Sequence, residues 1–180
     1  MAQKPGEVPR GQKFRRSVGA ALLLACFLAA VPGAYAGEWL ADAKTGCQVW
    51  DPNPQLDESV AWSGGCTNGH ADGFGTVQWL QRNVSIETDK GEWRDGRQVS
   101  KGIQNWPIGR YEGELADGLP NGEGVLTFEK FRYEGQFRDG KPNGVGSLIE
   151  GSETVQGTWK DGCLQGQRKA SIGIPLSACR

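Results

Sequence analysis

Three glutamates are the first residues in this 180-residue sequence whose type and spacing suggest chemistry. Glu112 and Glu114 flank Gly113, so on a strand they share one face. Glu134 takes the place of Glu112 one unit later. Two carboxyl groups about 5–9 Å apart can act on a glycosidic bond as an acid and a base or nucleophile. The same residues also read as the solvated side of a sheet, with Arg110, Lys130 and Arg132 available for cross-strand pairing. A carboxylate needs a cleft to shift its pKa, and an open sheet offers only a shallow concavity. The second reading is preferred, and no catalytic residue is assigned. His70 is the single histidine. It sits in Asn68-Gly69-His70-Ala71-Asp72-Gly73, which reads as an exposed turn. One histidine leaves little room for His-based zinc sites or Ser/His/Asp chemistry. Neither a P-loop nor a GxGxxG in a strand–turn–helix context occurs, so no cofactor is expected.

The five cysteines come next. Cys47, Cys66, Cys163 and Cys179 form an even set, which allows three disulfide connectivities. The simplest joins Cys47 to Cys66 and Cys163 to Cys179, because each pair is local. Such a loop contributes about 3 kcal/mol on the chain-entropy model. A metal site would need CxxC spacing or histidine partners, and none is expected. The fifth, Cys26, lies in an apolar run from Val18 to Val31. Lys13-Phe14-Arg15-Arg16 precedes that run and Ala34-Tyr35-Ala36 follows it, the pattern of a secretory signal peptide cleaved after Ala36. The run, about 14 residues, is short of the roughly 20 that span a bilayer. Leu23-Leu24-Ala25-Cys26 resembles a bacterial lipobox, so lipidation at Cys26 with membrane association is the minority reading. The expected location is exported: periplasm, cell envelope or secreted.

Charge narrows the partners. Residues 1–36 hold five of the 20 basic residues and one of the 21 acidic ones, so residues 37–180 carry a net charge of −5. Such a chain is poorly suited to nucleic acid or to anionic phospholipid.

These residues must be positioned by a repeat. Tyr111-Glu112-Gly113-Glu114-Leu115-Ala116-Asp117-Gly118 is followed by Tyr133-Glu134-Gly135-Gln136-Phe137-Arg138-Asp139-Gly140, 22 residues on. Gly91 and Gly157 extend the same spacing in both directions. A further unit starts at Trp62, with Gly64 lying 27 residues before Gly91. That longer spacer holds Val84-Ser85-Ile86, read as an extra strand or a loop. Within a unit Tyr111, Gly113 and Leu115 alternate, which puts an aromatic and an apolar residue on one strand face with glycine between them. The glycine leaves room for a neighbouring unit's aromatic. Asp117 to Gly122 reads as the turn and Val125-Leu126-Thr127-Phe128 as the returning strand. Each unit is thus a β-hairpin. One hairpin cannot bury its apolar face, and stacked hairpins can.

The units resemble the MORN repeat family, whose pattern is roughly Tyr-x-Gly-x-Trp/Phe-x-Asp/Asn-Gly-x-x-x-Gly-x-Gly. The unit at 91 keeps Gly91, Trp93, Asp95, Gly96 and Gly102 but carries Asp89 where the pattern has an aromatic and Ser100 where it has a glycine. The resemblance implies an all-β fold, a single-layer antiparallel sheet of about five hairpin repeats. Residues 61–168 form the array, 37–60 an N-terminal cap and 169–180 a C-terminal cap or tail, after a cleaved signal helix at 1–36. It also implies an interaction or membrane-association module. The leading function is therefore non-catalytic: binding an envelope protein partner. Trp93, Trp106, Tyr111, Tyr133 and Trp159 are the candidate binding residues, with Trp106-Pro107-Ile108 expected to protrude. Aromatics at repeat spacing equally serve as the layer between hairpins. The interaction reading expects an exposed aromatic face and no pocket with a perturbed carboxylate. A carbohydrate or lipid binder and a small glycan-acting enzyme are the alternatives.

Overall fold

Four Asp-Gly pairs set the period of the fold. Asp95-Gly96, Asp117-Gly118, Asp139-Gly140 and Asp161-Gly162 all have positive φ at both residues, near +50° and +80°. Two successive left-handed residues make the tight hairpin turn whose twist suits a sheet. The chain reverses at each pair without further loop.

The computed structural model describes residues 37–166 and 170–179. In chain order the strands are β1 (Glu38–Ala41), β2 (Gln48–Asp51), β3 (Glu58–Trp62), β4 (Gly65–Thr67), β5 (His70–Gln81), β6 (Val84–Arg94), β7 (Arg97–Trp106), β8 (Gly109–Ala116), β9 (Leu119–Phe128), β10 (Arg132–Arg138), β11 (Lys141–Glu150), β12 (Glu153–Lys160) and β13 (Cys163–Leu164). From β5 to β13 each strand pairs antiparallel with the next, giving one open sheet. The all-β, single-layer hairpin array expected from the sequence is the fold observed. Among the described residues there is no α-helix, and no helix is long and apolar enough to cross a membrane. The expected signal helix at 1–36, the lipidation site at Cys26, and Lys169 and Arg180 of the tail lie outside the described residues.

Two local expectations are corrected. Asp117 to Gly122 is not a six-residue turn. The turn is Asp117-Gly118 alone, and Leu119 to Gly122 already belong to β9, set off by a bulge opposite Gly113 and Leu115. Val84-Ser85-Ile86 is neither an extra strand nor a loop. It is the start of β6, which runs unbroken to Arg94, and the reversal before it is Arg82-Asn83, both at positive φ. The 27-residue spacing therefore reflects a longer hairpin. One pairing also departs from the antiparallel pattern, since β2 meets β5 in parallel at Gln48 and His70.

Strand register explains the glycine spacing. Gly75, Gly91, Gly102, Gly113, Gly124, Gly135, Gly146 and Gly157 are successive cross-strand partners. They form one row across the sheet. A Cβ on Gly124 would run into the Tyr111 ring, and one on Gly146 into the Tyr133 ring. Each tyrosine thus lies over the glycines of its own unit, not of a neighbouring one. The Tyr111 hydroxyl donates to the Glu114 carbonyl at 2.7 Å, and that of Tyr133 to the Gln136 carbonyl at 3.3 Å. Burial pushes the Tyr133 hydroxyl up to about 12, so it stays a neutral donor.

The turns are stitched to one another. Gly118 N–H donates to the Gln98 carbonyl, Gly140 to Pro120 and Gly162 to Pro142, at 3.1, 3.0 and 2.9 Å. This draws the Asp-Gly edge inward over the inner face. The chain ends close the same face. Trp50 N–H donates to the Gly96 carbonyl and Ile172 N–H to the Gly162 carbonyl. Cys47 lies against Cys66 with Cα atoms 5.9 Å apart, and Cys163 against Cys179 at 5.6 Å, both disulfide distances.

Candidate functional site

A second row of cross-strand partners, two residues from the glycine row, runs across the inner face. It reads Val77, Asp89, Gln104, Tyr111, Leu126, Tyr133, Leu148 and Val155. Six of the eight are apolar or aromatic. The other two are adjacent and polar, on β6 and β7. Asp89 and Gln104 are 3% and 4% exposed. The 22-residue repeat that supplies Tyr111 and Tyr133 supplies Asp89 one unit earlier. That substitution interrupts the apolar layer. One core cluster centres on Trp62, Trp79 and Trp93, another on Tyr111, Tyr133, Phe137 and Trp159.

The polar stretch forms the floor of a groove of about 750 Å³. Its walls are aromatic and apolar: Trp50, Trp79, Trp93, Trp106, Phe128 and Phe131 among them. Four carboxyl groups line it, Asp51, Glu58, Glu87 and Asp89, together with Gln104 and Gln55. Among the described residues that line it there is no Lys, Arg or His. The segment that follows β2 supplies Pro52, Asn53 and Gln55 to one wall. The N-terminal segment therefore turns an open sheet into a cleft.

The four carboxyl groups occur as two facing pairs. Asp89 Oδ2 accepts the Trp79 indole N–H at 2.7 Å, and its carboxyl also faces Glu87. Asp89 Oδ1 is buried and accepts no bond. Burial, then the Glu87 charge, holds Asp89 well above the usual carboxylate range. Glu87 faces Asp89 and the Trp106 indole, and burial raises it too. In the second pair Asp51 Oδ1 accepts the Asn53 N–H at 2.8 Å, while Oδ2 is buried without a donor. Glu58 Oε2 accepts the Gln55 N–H at 2.8 Å, and the carboxyl faces Asp51. Burial, reinforced by Asp51, pushes Glu58 up to about 7. Within the protein, the one donor within reach of Asp51 Oδ2 and Asp89 Oδ1 would be a proton held on the facing carboxyl, Glu58 or Glu87. The Trp93 indole Nε1 is a third buried polar atom without a partner on the groove lining.

The sequence-derived candidates divide between groove and core. Trp93 and Trp106 line the groove. Trp106 does not protrude: it stacks on Phe128 with 6° between ring planes, and Ile108 is the exposed tip. Its side chain follows strand alternation onto the inner face with Gln104. Tyr111, Tyr133 and Trp159 are not an exposed stripe. They are 0%, 0% and 1% exposed, because tyrosine and tryptophan rings are what cover the glycine row. Phe137 is wedged between the two tyrosine rings, and Tyr133 meets Trp159, all edge to face.

The glutamate set Glu112, Glu114 and Glu134 does not converge in a groove. Glu112 and Glu134 lie on the outer face, each beside an arginine two residues away, Arg110 at 2.7 Å and Arg132 at 2.6 Å. His70 is half-buried at the start of β5, edge-on to Trp39, and the turn itself is Asn68-Gly69. Among the described residues no cluster of His, Cys, Asp or Glu is arranged to hold a metal ion.

The expectation that there would be no pocket with a perturbed carboxylate is also overturned. Sequence reasoning missed Asp51, Glu58 and Glu87 because the residues lie far apart in the chain and carry no repeat. The one visible signal was Asp89 in an aromatic position.

Comparison with known proteins gives one match. Residues 90–109, 111–130 and 133–149 fit the MORN repeat family model. No curated protein matches the chain. The matched span starts next to Asp89 and includes Tyr111, Tyr133 and most of the glycine row.

Proposed function

We propose, from the premise that this chain carries three consecutive MORN repeats between residues 90 and 149, that it is a non-catalytic binding module whose inner groove receives a segment of a protein partner. MORN repeats generally mediate protein or membrane interactions. The observation that carries the reading is the groove itself: about 750 Å³, aromatic-walled and floored by buried polar groups without partners. Buried polar groups are normally satisfied, and those that are not ask for a ligand. The outer face offers less. Its strands carry short-range ion pairs and scattered apolar residues such as Phe74 and Val145, not a continuous patch.

The partner is placed in the cell envelope or outside the cell. Two supports bear on this: the signal-peptide pattern of residues 1–36, and two cysteine pairs at disulfide distance, which suit an oxidising compartment. The test is site-specific photo-crosslinking in the native host. A crosslinker at Gln55 or Leu119 in the groove captures a defined envelope protein. One at Thr127 or Val145 on the outer face does not, and Trp106→Ala weakens capture from the groove. Capture only from the outer face, or from neither, overturns the reading.

A second reading rests on one observation. Burial beside Asp51 pushes Glu58 up to about 7, the range in which a carboxyl can serve as a general acid. A glycan-acting enzyme would use that pair, not Glu112, Glu114 or Glu134. Release of reducing ends from envelope glycans, lost in Glu58→Gln with the fold retained, would establish it.

A further inference from the structure

The groove reading can be taken further, to the chemistry of what enters. We propose that the groove is an acceptor for a single cationic side chain, an arginine or lysine of the partner segment. The proposal rests on the groove being the binding face, and its test separates the two claims.

Four features of the lining point the same way. Every charged residue on it, among the described residues, is acidic. Asp51 Oδ2 and Asp89 Oδ1 are buried acceptors with no donor, on side chains 5% and 3% exposed. Guanidinium and ammonium groups offer only donors, which is what these two oxygens lack. The walls are indole and phenyl rings, whose faces attract cations. The protein already uses this chemistry at the rim. The Arg97 guanidinium sits 4.2 Å from the Trp50 ring centroid and 5.3 Å from that of Trp39. Arg97 is turned towards Asp117, at 3.6 Å, and is not a lining residue of the groove. Among the described residues, no cation of the chain's own lines the groove beside the carboxyl pairs.

The proton balance follows. In the empty groove burial favours the protonated form of Glu58, which faces Asp51, and of Glu87 and Asp89, which face each other. The groups facing these pairs are Trp79 and Gln104 beside Asp89, the Trp106 indole beside Glu87, and the backbone N–H groups of Asn53 and Gln55 beside Asp51 and Glu58. These groups are uncharged, but the two pairs also face each other: the Glu87 charge acts on Glu58 and the Asp51 charge on Glu87. When a guanidinium enters, it supplies the missing donors and the positive charge. The O–H bond of a carboxyl then breaks, its proton passes to solvent, and the carboxylate keeps the electron pair. Cation and proton compete for one site, so affinity rises with pH.

The probes are two pentapeptides with acetylated and amidated ends. One has a central arginine between two leucines. The other has citrulline, the uncharged urea isostere, in its place. Binding to the full chain is measured by titration calorimetry at pH 5.5 and pH 8, in two buffers of different ionisation enthalpy. The expected result at pH 8 is at least tenfold tighter binding of the arginine peptide. Its affinity should fall about tenfold by pH 5.5, and protons should be released on binding at the lower pH. The double variant Glu58→Gln/Asp89→Asn should lose the arginine preference. The outer-face variant Glu112→Gln/Glu134→Gln should keep it.

Equal binding of the two peptides, blocked by a groove substitution, overturns cation selection and leaves the groove as the binding face. An arginine preference abolished by the outer-face variant overturns both claims. Failure of both peptides to bind overturns cation selection, and groove crosslinking then decides the underlying reading separately. The citrulline comparison needs no variant, so the proposal remains testable if the double variant does not fold.

Discussion

The region from β5 to β7 and the region from β8 to β12 share a glycine row, a turn type and a turn-to-turn hydrogen bond, yet they fill the inner face differently. In β8–β12 the row beside the glycines is Tyr111, Leu126, Tyr133, Leu148 and Val155, and the rings interlock edge to face. In β6 and β7 the same row holds Asp89 and Gln104, and the space over Gly91 and Gly102 is taken by the Gln98 amide. One region has a closed apolar layer. The other leaves polar groups beneath an aromatic cleft. The backbone of a repeat can therefore stay constant while its row residue decides whether a unit is core or site. That separation is available because the turns and glycines, not the row residue, fix the register.

Tyr133→Ala should produce the largest effect and test the closed region directly. Tyr133 is fully buried and meets Phe137 and Trp159. Truncation should cost about 3–5 kcal/mol in urea unfolding. A loss below about 1 kcal/mol would show that the ring layer does not hold the sheet.

Removing the Cys47–Cys66 link by double serine substitution should cost about 3 kcal/mol on the loop-closure model, for a sequence separation of 19. It should also weaken ligand capture, because the segment after β2 forms one wall of the groove. The same change at Cys163 and Cys179 should cost a similar amount but weaken capture less, because that loop supplies only Ile172 and Gly173 to the groove, away from the four carboxyl groups. If both double variants affect binding equally, the groove is not organised by the N-terminal segment.

Asp89→Asn tests the open region. The amide keeps an acceptor for the Trp79 indole and ends the opposition to Glu87. A gain of about 1 kcal/mol at pH 8, with binding reduced, is expected. This is the inverse of the Tyr133 result: the closed region is built for stability and the open one gives some up. A loss of stability would mean that Asp89 is a structural acceptor alone.

The pH dependence of stability sharpens the contrast. Glu58 titrates near 7 in the folded chain, and Glu87 and Asp89 are also raised. An acid raised on folding makes the native state bind more protons than the unfolded one. Its stabilising contribution is complete below the ordinary carboxylate range and is lost as pH rises to the folded value. The melting temperature should therefore fall between about pH 4 and pH 7, and Glu58→Gln should flatten part of that fall. Asp42 acts in the opposite sense. Burial opposes its ionisation, but hydrogen bonds from Thr45, Trp62 and Lys44 outweigh it and lower the pKa. Its contribution is lost only as pH falls below the usual 3.8.

Much of this architecture was legible in the residues. Gly113, Gly135 and Gly157 at equal spacing, each followed by Asp-Gly at the fourth and fifth positions after it, specify hairpins and their stacking. Those signals are local and periodic. The groove is neither. Asp51 and Glu58 reach it from outside the repeats, and their meeting with Glu87 and Asp89 depends on β3 pairing with β5 and on Trp50 crossing to Gly96. Repeat logic also misassigned the aromatics. Periodicity marks Tyr111 and Tyr133 as equivalent, and Trp159 as equivalent to Phe137, but equivalence within a repeat marks a core position. The informative residue was the exception, Asp89, which looked like a decayed repeat.

The smallest effect belongs to the outer face, and its smallness is what the comparison requires. Arg132 and Glu134 lie 2.6 Å apart with side chains 42% and 60% exposed. Their attraction is screened by water, and ordering two long side chains offsets it. Arg132→Ala should change stability by no more than about 0.5 kcal/mol. It should leave both the pH dependence and the arginine-peptide preference unaltered. Glu112 and Glu134 are acidic, repeat-spaced and accessible, so by sequence they look more like a cation site than the groove does. If Arg132→Ala freed Glu134 to bind the arginine peptide with the groove's affinity, charge alone would explain recognition. Unchanged binding would instead show that recognition depends on burying the carboxyl groups beneath aromatic walls, which the outer face cannot do.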